Sequence, residues 1–207
     1  MADGFEIVSY KRETGRKTDI QFLSREVAEK TTQFHKSFPG YFRTPLARLK
    51  NAAKEFGVAD IFVKDESYRF GLNAFKVLGA SFAIGQYIAN RLGRDLSELP
   101  FSVMTSDEVK KELDEITLVT ATDGNHGRGV AWTANQLGQR SVVYMPKGSA
   151  PERLANIRKE NSDASITDLR YDDTVRMARK RAEEPNCILV QDTSWDGYTQ
   201  VPTWIIQ

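Results

Sequence analysis

Residues 69–80 read Arg-Phe-Gly-Leu-Asn-Ala-Phe-Lys-Val-Leu-Gly-Ala, and they place one lysine, Lys76, just inside a predicted helix. The lysine follows an aromatic residue, Phe75, in an otherwise largely apolar segment. Burial and the positive end of a helix dipole both disfavour the charged form of a lysine. A neutral amine condenses with a carbonyl group to form a Schiff base. The stretch therefore predicts a nucleophilic lysine at a helix start.

A second informative stretch lies downstream, where residues 120–131 read Thr-Ala-Thr-Asp-Gly-Asn-His-Gly-Arg-Gly-Val-Ala. This pattern predicts the end of a strand, a tight polar turn and the start of a helix. Its glycines do not have the Gly-x-Gly-x-x-Gly spacing of a phosphate loop, and no lysine follows in the Walker position. A reactive lysine followed by such a turn indicates chemistry based on pyridoxal 5'-phosphate.

The composition is that of an ordinary globular protein, since 40% of the 207 residues are hydrophobic and 28% are charged. The formal net charge of +1 gives no electrostatic case for a nucleic-acid or membrane partner. No apolar run approaches the roughly 20 residues of a membrane span. Residues 1–16 are polar and mixed in charge, unlike a secretory signal. We therefore expect a protein with neither kind of partner.

Cysteine and histidine usage narrows the class of protein further. The single cysteine, Cys187, allows no internal disulfide, which is consistent with a reducing cytoplasm. The two histidines, His35 and His126, are too few for a histidine-rich metal site. We expect a cytoplasmic protein without a metal, with His35 on the surface of a helix.

From residue 116 onward, strand-like and helix-like segments alternate. The predicted strands cover 116–120, 141–144, 164–167 and 187–190, and the predicted helices cover 126–137, 151–159 and 174–183. Such alternation is typical of parallel βαβ units and of the α/β class. Ligands bind at the carboxyl ends of the strands in these sheets. Asp123 and Asp192 each follow a predicted strand, so we expect them to face one crevice.

The chain before residue 116 carries weaker patterns. We expect Ser24 to cap a helix that runs to Phe38, and Thr44-Pro45 to open a second helix that stops at Gly57. The further expectations are a strand at 61–63, an Asn73 cap on the lysine helix, an end of that helix at Gly93, and a charged surface insertion at 94–115 containing a short helix begun at Ser106.

The lysine stretch resembles the Ser-Phe-Lys-x-x-Gly-Ala motif of the fold-type II pyridoxal-phosphate enzymes, which include serine/threonine dehydratases and the tryptophan synthase β subunit. The polar turn resembles their Ser-Gly-Asn-His loop. Two departures narrow the match: the lysine motif here is Asn-Ala-Phe-Lys, and Asp123 stands where the dehydratases have serine. With this aspartate, residues 64–67 and residues 191–195 resemble the diaminopropionate ammonia-lyases of that family.

The resemblance implies a tryptophan synthase β-like α/β fold and a pyridoxal-phosphate enzyme that converts 2,3-diaminopropionate, in its D and L forms, to pyruvate and ammonia. It also implies a role for each matching residue. Lys76 forms the Schiff base, Phe75 lies against the cofactor ring, Asn125 bonds the ring hydroxyl oxygen, Thr122, Asp123, Gly124 and His126 contact the small amino-acid substrate, and Asp192 is a further active-site carboxylate.

Asp123 distinguishes between the possible substrates. Dehydratases eliminate hydroxide from a neutral side chain, whereas diaminopropionate carries a β-amino group that is usually cationic. A carboxylate complements that charge and can also move a proton. The resemblance implies that Lys76 takes the α-proton of one enantiomer and Asp123 that of the other.

Structural alternatives remain open for the same residues. They are a helix N-cap for Asp123, a turn-forming role for Asp192 and Asn125, a core position for Phe75 and an ordinary exposed lysine at position 76.

The resemblance runs from about Thr31 to the last residue and covers about the first half of the usual family length. It suggests residues 1–80 as part of a large domain, 81–190 as a small βαβ domain and 191–207 as a return to the large domain. The family's phosphate loop and the residue that faces its pyridine nitrogen have no match here. Homodimers are common in the family. The alternatives are a serine/threonine-type dehydratase and a non-catalytic truncated remnant.

Overall fold

The computed structural model describes residues 19–207, so the expectation for residues 1–16 lies outside it. The described chain opens with α1 (Arg25–Lys36), and the Ser24 hydroxyl caps this helix by accepting a hydrogen bond from the Val27 N–H at 3.4 Å. An antiparallel pair follows, formed by β1 (Leu46–Arg48) and β2 (Phe62–Lys64) on either side of α2 (Lys50–Phe56). The Ser24 cap and the strand near 61–63 are thereby confirmed.

The predicted helix from Thr44 is wrong in its first half. Leu46 pairs with Lys64 across the two strands, and the helix starts only at Lys50. Its end at Gly57, where φ is +65°, is as predicted. Leu46 is 61% exposed and Phe56 is 73% exposed, so these apolar side chains do not form the buried face of a helix. Strand pairing over a distance in sequence overrode the local pattern.

A buried ion pair fixes the chain just before the lysine helix. The Arg69 guanidinium donates to the Glu66 carboxylate at 2.8 Å and to the Phe42 carbonyl at 2.9 Å. The hydrogen bond from Arg69 is the main reason why the pKa of Glu66 is lowered to about 2. Glu66 also accepts a hydrogen bond from the Thr44 hydroxyl. The segments around residues 42–44 and 66–69 are thus tied together by charge.

The lysine helix, α3 (Lys76–Leu92), begins at the predicted lysine and ends at Gly93, where φ is +62°. The expected Asn73 cap is wrong, because the N-cap residue is Phe75 and no side chain in the described part of the chain caps the helix. Asn73 instead has a φ of +57°. Asparagine tolerates this left-handed conformation better than most residues do, so its role here is to turn the chain.

The segment at 94–115 is part of the core, so the expectation of a surface insertion is wrong. It contains α4 (Phe101–Met104) and α5 (Asp107–Leu113), and the predicted Ser106 cap on α5 is present. Apolar side chains from this segment are buried in the same cluster as α3: Leu96, Leu99, Met104, Val109 and Leu113. The charged residues of the segment lie on the outside of these short amphipathic helices.

A parallel four-stranded sheet forms the rest of the fold. In chain order the elements are β3 (Thr117–Ala121), α6 (Asn125–Gln136), β4 (Arg140–Met145), α7 (Pro151–Arg158), β5 (Asp163–Ile166), α8 (Tyr171–Arg181), β6 (Cys187–Leu189) and α9 (Gln200–Ile206). The strand order is β5-β4-β3-β6, and every neighbouring pair is parallel. The predicted α/β class and the βαβ units are confirmed. Among the helices that the structure describes, none is both long and apolar enough to span a bilayer.

Helices cover both faces of this sheet. Val119 of β3 and Val142 of β4 pack with Ala178 of α8 on one face. Val143 packs with Ala131 of α6 on the other. Burial on both faces explains why these strands are almost continuously apolar in sequence.

The lysine helix is held between α6 and α9. A Cβ atom at Gly79 would lie 2.9 Å from Cγ2 of Ile205, and closer still to the backbone of that residue in α9. The proposed domain division at residues 80 and 190 stays a prediction. In the structure α3 runs through residue 80 without interruption.

His35 is buried, so the expectation that it lies on a helix surface is wrong. Its side chain is in the core between α1 and α3, where Nε2 lies 2.9 Å from the Leu78 carbonyl oxygen and 3.1 Å from the Ser81 hydroxyl. Burial lowers the pKa of His35 from 6.5 to about 4. The imidazole is therefore neutral in the folded protein at neutral pH.

We predict that His35 makes the fold sensitive to mild acid. Between about pH 6.5 and pH 4 the unfolded chain binds a proton at His35 that the folded chain does not. The free energy of unfolding should therefore fall as the pH falls through this window, by up to about 1.4 kcal/mol per pH unit, and then level off. His35→Gln, which keeps an N–H donor but cannot titrate, should show a shallower loss in urea unfolding. Equal slopes for the two proteins would contradict this assignment.

Candidate active site

The lysine helix and α6 touch backbone to backbone beside Lys76. A Cβ atom at Gly129 would lie 2.9 Å from Cα and 3.0 Å from N of Val77, closer than real side chains approach. Asn125 is four residues before Gly129, so the two lie on the same face of α6. The glycine thus brings Asn125 and the polar turn to the start of the lysine helix.

Thr122 shapes the polar turn. Its hydroxyl accepts hydrogen bonds from the N–H groups of Gly124, at 3.0 Å, and Gly127, at 3.2 Å. The N-cap alternative for Asp123 is wrong, because the N-cap residue of α6 is Gly124. The Asp123 side chain makes no capping hydrogen bond to the helix. Since Thr122 supplies the hydrogen bonds of the turn, the Asp123 carboxylate is left for another role.

Asp123 projects into solvent beside Arg153 of α7. Its side chain is 80% exposed, and Oδ2 lies 3.8 Å from Nη1 of Arg153. The same nitrogen donates to the Asp123 carbonyl at 2.8 Å. Sequence reasoning missed Arg153. The available signal was that α7 follows β4, the neighbour of β3, so that its first turn lies at the same edge of the sheet as Asp123.

Lys76 and Asp192 form an ion pair across the site. Nζ lies 2.8 Å from Oδ2, and the side chains are 38% and 18% exposed. The expectation that Lys76 is desolvated is therefore wrong, because the side chain is partly exposed and its charge is paired. The turn alternative for Asp192 also misses its main contact, which joins residues 116 positions apart in sequence. Because β6 and β3 are neighbouring parallel strands, Asp192 and Asp123 emerge from the same edge of the sheet.

His126 lies underneath this pair. The ring is 4% exposed, Nε2 is 2.8 Å from the Val190 carbonyl oxygen, and Nδ1 is 3.9 Å from Oδ2 of Asp192. Burial lowers the pKa of His126. Burial alone would raise the pKa of Asp192, but a neighbouring positive charge, on His126 or on Lys76, brings it below its usual value. The carboxylate of Asp192 is therefore ionised at neutral pH.

Gln191 fixes the backbone that carries Asp192, and sequence reasoning gave it no role. Its buried side-chain oxygen accepts hydrogen bonds from the Ala121 N–H at 3.0 Å and from the Thr120 hydroxyl at 3.1 Å. Its backbone N–H donates to the Tyr198 hydroxyl at 2.9 Å. An amide directly after a strand end was the only signal in the sequence. These contacts join the ends of β3 and β6.

The predicted ligand-binding residues divide into an exposed and a buried group. Asp123, Asn125 and Phe75 are exposed, and Phe75 is 59% exposed, so its core alternative is wrong. Thr122, Gly124 and His126 are buried beneath the turn. Their contacts with substrate stay predictions. A cavity of about 550 Å³ opens beside Phe75 and Lys76, between α1, α3 and α9.

Comparison with protein families agrees with this geometry. The model of the family described as "Pyridoxal-phosphate dependent enzyme" matches residues 37–203. The diaminopropionate ammonia-lyase of Salmonella typhimurium is 46% identical over 98% of this chain and 51% of its own length. The enzyme of the same name from Escherichia coli K12 is 49% identical over 89% of this chain and 46% of its own length. The chain spans about half the length of the curated relatives it matches.

A solved structure supports the fold. The crystal structure of diaminopropionate ammonia lyase from Escherichia coli in complex with D-serine has a TM-score of 0.85 and 47% identity, over 90% of this chain and 47% of that one. Its apo form gives a TM-score of 0.83 with 90% of this chain covered and 50% of the other.

We predict that Gly129→Ala destabilises the chain. Alanine exceeds glycine in helix propensity by about 1 kcal/mol, so a helix with room for the methyl group would gain stability. Here the methyl group meets the backbone of Val77, and we expect a net loss of about 1–3 kcal/mol in the free energy of unfolding. Urea unfolding measures it, with Gln136→Ala on the same helix as the control. A gain in stability would contradict the contact.

Proposed function

The chain belongs to the family of pyridoxal-phosphate dependent enzymes, and from that premise we propose that it serves a 2,3-diaminopropionate ammonia-lyase. The reaction is an α,β-elimination that converts the D and L substrates to pyruvate and ammonia. The observation that carries this proposal is the Lys76–Asp192 ion pair at 2.8 Å, at the sheet edge from which Asp123 also projects. Relatives at 46% and 49% identity support it.

The residues at this edge fit a pyridoxal group. Lys76 supplies an accessible amine, Asn125 an exposed uncharged amide and Phe75 an exposed ring, and Gly129 keeps the amide close to the lysine helix. We assign the carbonyl-binding role to Lys76, the ring hydroxyl contact to Asn125 and the ring face to Phe75. When bound, pyridoxal phosphate withdraws electrons from the carbon that carries the amino group of the substrate.

The side chains then divide the proton transfers. The neutral amine of Lys76 removes the α-proton of one enantiomer, and the Asp123 carboxylate removes that of the other. Asp123 also complements the cationic β-amino group before it leaves as ammonia. Arg153 holds the carbonyl of Asp123, which keeps the carboxylate at the mouth of the site. Asp192 orients Lys76 and receives its proton. Thr122 and Gly124 shape the turn that binds the substrate.

The remaining assignments concern the protein as a whole. We propose a homodimer in the cytoplasm that acts on a small amino acid and has no nucleic-acid or membrane partner. The absence of any cysteine besides Cys187 supports a reducing compartment, and the family resemblance supports the dimer. The division into segments 1–80, 81–190 and 191–207 is part of the same proposal.

Lys76→Ala is the direct test of the nucleophile. After incubation with pyridoxal 5'-phosphate and reduction with borohydride, the wild-type chain should carry a covalent adduct on Lys76, and the variant should lose both this adduct and the visible absorption band. Peptide mass spectrometry locates the adduct. Lys147→Ala, which changes an exposed lysine elsewhere, is the matched control. An unchanged adduct in the Lys76 variant would refute the assignment.

Asp123→Ser tests the choice of substrate. We expect kcat/KM for diaminopropionate to fall by roughly 10² to 10⁴, the range for a lost general base, with little change in cofactor binding. The D and L substrates should suffer unequally because only one of them uses Asp123 as its base. Asp172→Ser, at an exposed acidic residue of α8, is the control. Small and equal losses for both enantiomers would favour a structural role for Asp123. Wild-type activity that is higher with serine or threonine than with diaminopropionate would favour a dehydratase.

A further inference from the structure

One buried polar atom in the site lacks a hydrogen-bond partner. Within residues 19–207, Nδ1 of His126 is the buried side-chain nitrogen or oxygen atom left without one. The other ring nitrogen, Nε2, lies 2.8 Å from the Val190 carbonyl oxygen. A carbonyl oxygen can only accept, so Nε2 carries the proton, and in a neutral ring Nδ1 then holds a free lone pair. Such an atom usually has a partner when buried.

The lone pair points toward the Lys76–Asp192 ion pair. Nδ1 lies 3.9 Å from Oδ2 of Asp192, the same oxygen that accepts a hydrogen bond from Lys76 at 2.8 Å. The charged groups that face the ring are therefore Lys76, from α3, and Asp192, from the segment after β6. A lone pair opposite a carboxylate is unfavourable unless a proton lies between them.

We propose that His126 is a proton-holding and positioning residue for Asp192, and that it stabilises the proton that Lys76 must lose before it reacts. Lys76 attacks a carbonyl or removes a proton only as a neutral amine. The catalytic purpose of this proton transfer rests on the proposed function. The protonation of His126 itself can be measured in the chain without any turnover.

The proton passes among three side chains, those of Lys76, Asp192 and His126. The N–H bond of the Lys76 ammonium breaks, its electron pair stays on Nζ, and the proton passes to Oδ2 of Asp192. A small rotation that closes the gap of 3.9 Å lets the proton continue to Nδ1 of His126. The products are a neutral amine, a carboxylate and an imidazolium. The negative charge of Asp192, which is 18% exposed, then remains paired with a cation.

Burial and the two neighbouring charges together determine when His126 can take up the proton. Burial lowers the pKa of His126, the charge of Asp192 raises it and the charge of Lys76 lowers it. Burial is therefore the main reason why His126 is neutral, and the Lys76 ammonium adds to this effect. Once Lys76 has lost its charge, burial still opposes the imidazolium, but within residues 19–207 the charge that remains next to the ring is the Asp192 carboxylate, which favours it.

The chain is well suited to a direct test, because it has only two histidines. Ring nitrogen NMR on chain labelled at histidine gives two sets of signals, and the His35→Gln variant assigns them. In Lys76→Met the pKa of His126 should rise by about 1–3 units, the effect of one nearby charge. In Asp192→Asn it should fall. Lys147→Met should leave it unchanged.

Each variant is decisive by itself if the other fails to fold. A pKa of His126 that does not respond to Lys76→Met, or that does not fall in Asp192→Asn, would overturn the proposal. If the adduct still forms on Lys76 but the pKa of His126 is the same in the variants, the proposed function stands and this inference fails. If the pKa of His126 changes as expected but no adduct forms, this inference stands and the proposed function fails.

His126→Gln separates proton holding from a structural role. Glutamine retains an N–H donor for the Val190 carbonyl but cannot take up a proton. We expect slower formation of the borohydride-trapped adduct at about pH 7, and wild-type rates near pH 10, where solvent removes protons from lysines. Wild-type rates across this whole range would show that His126 only supports the fold.

Discussion

The close contact between α3 and α6 is the constraint on which the site depends. Gly129 lets one helix rest on the backbone of Val77 in the other, with no side chain between them. Helices this close hold their ends in fixed relation, so the start of the lysine helix and the polar turn cannot drift apart. The parallel pairing of β3 with β6 fixes the third component, the segment that carries Asp192. Three separate parts of the sequence thus meet at one edge of the sheet.

The arrangement of charges at this edge of the sheet follows from the same packing of helices and strands. The Lys76 ammonium and the Asp192 carboxylate meet at 2.8 Å because each is delivered by a different rigid element. The Asp123 carboxylate does not take part in this ion pair. It is also not needed to close its own turn, because the Thr122 hydroxyl accepts the hydrogen bond there. One carboxylate is therefore committed to the lysine while the other stays in solvent beside Arg153. Two acidic groups with different surroundings are the usual means of giving them different tasks.

Apolar periodicity and the positions of glycine and proline predicted the strands of the sheet, the helices between them and the end of α3 at Gly93, because these depend on near neighbours along the chain. The errors came from contacts distant in sequence. Leu46 pairs with a strand at residues 62–64, and His35 is buried by α3, which no local pattern records. For the candidate site, motifs pointed to Lys76 and Asp123, and their roles stay predictions. Arg153 was missed, because its position beside Asp123 depends on the pairing of β3 with β4, which the sequence alone does not give.

The first glycine of the lysine helix, Gly79, has a mechanical consequence. Ile205 of α9 contacts Gly79, and Gly129 of α6 contacts Val77. Two contacts only two residues apart therefore fix the α3 backbone next to Lys76. The backbone of α3 is thus held in place, and the Lys76 amine moves only by rotation about the bonds of its own side chain. Holding a lysine side chain costs about 2 kcal/mol of rotamer entropy. Release from Asp192 returns part of that freedom, which lowers the cost of swinging the amine between partners.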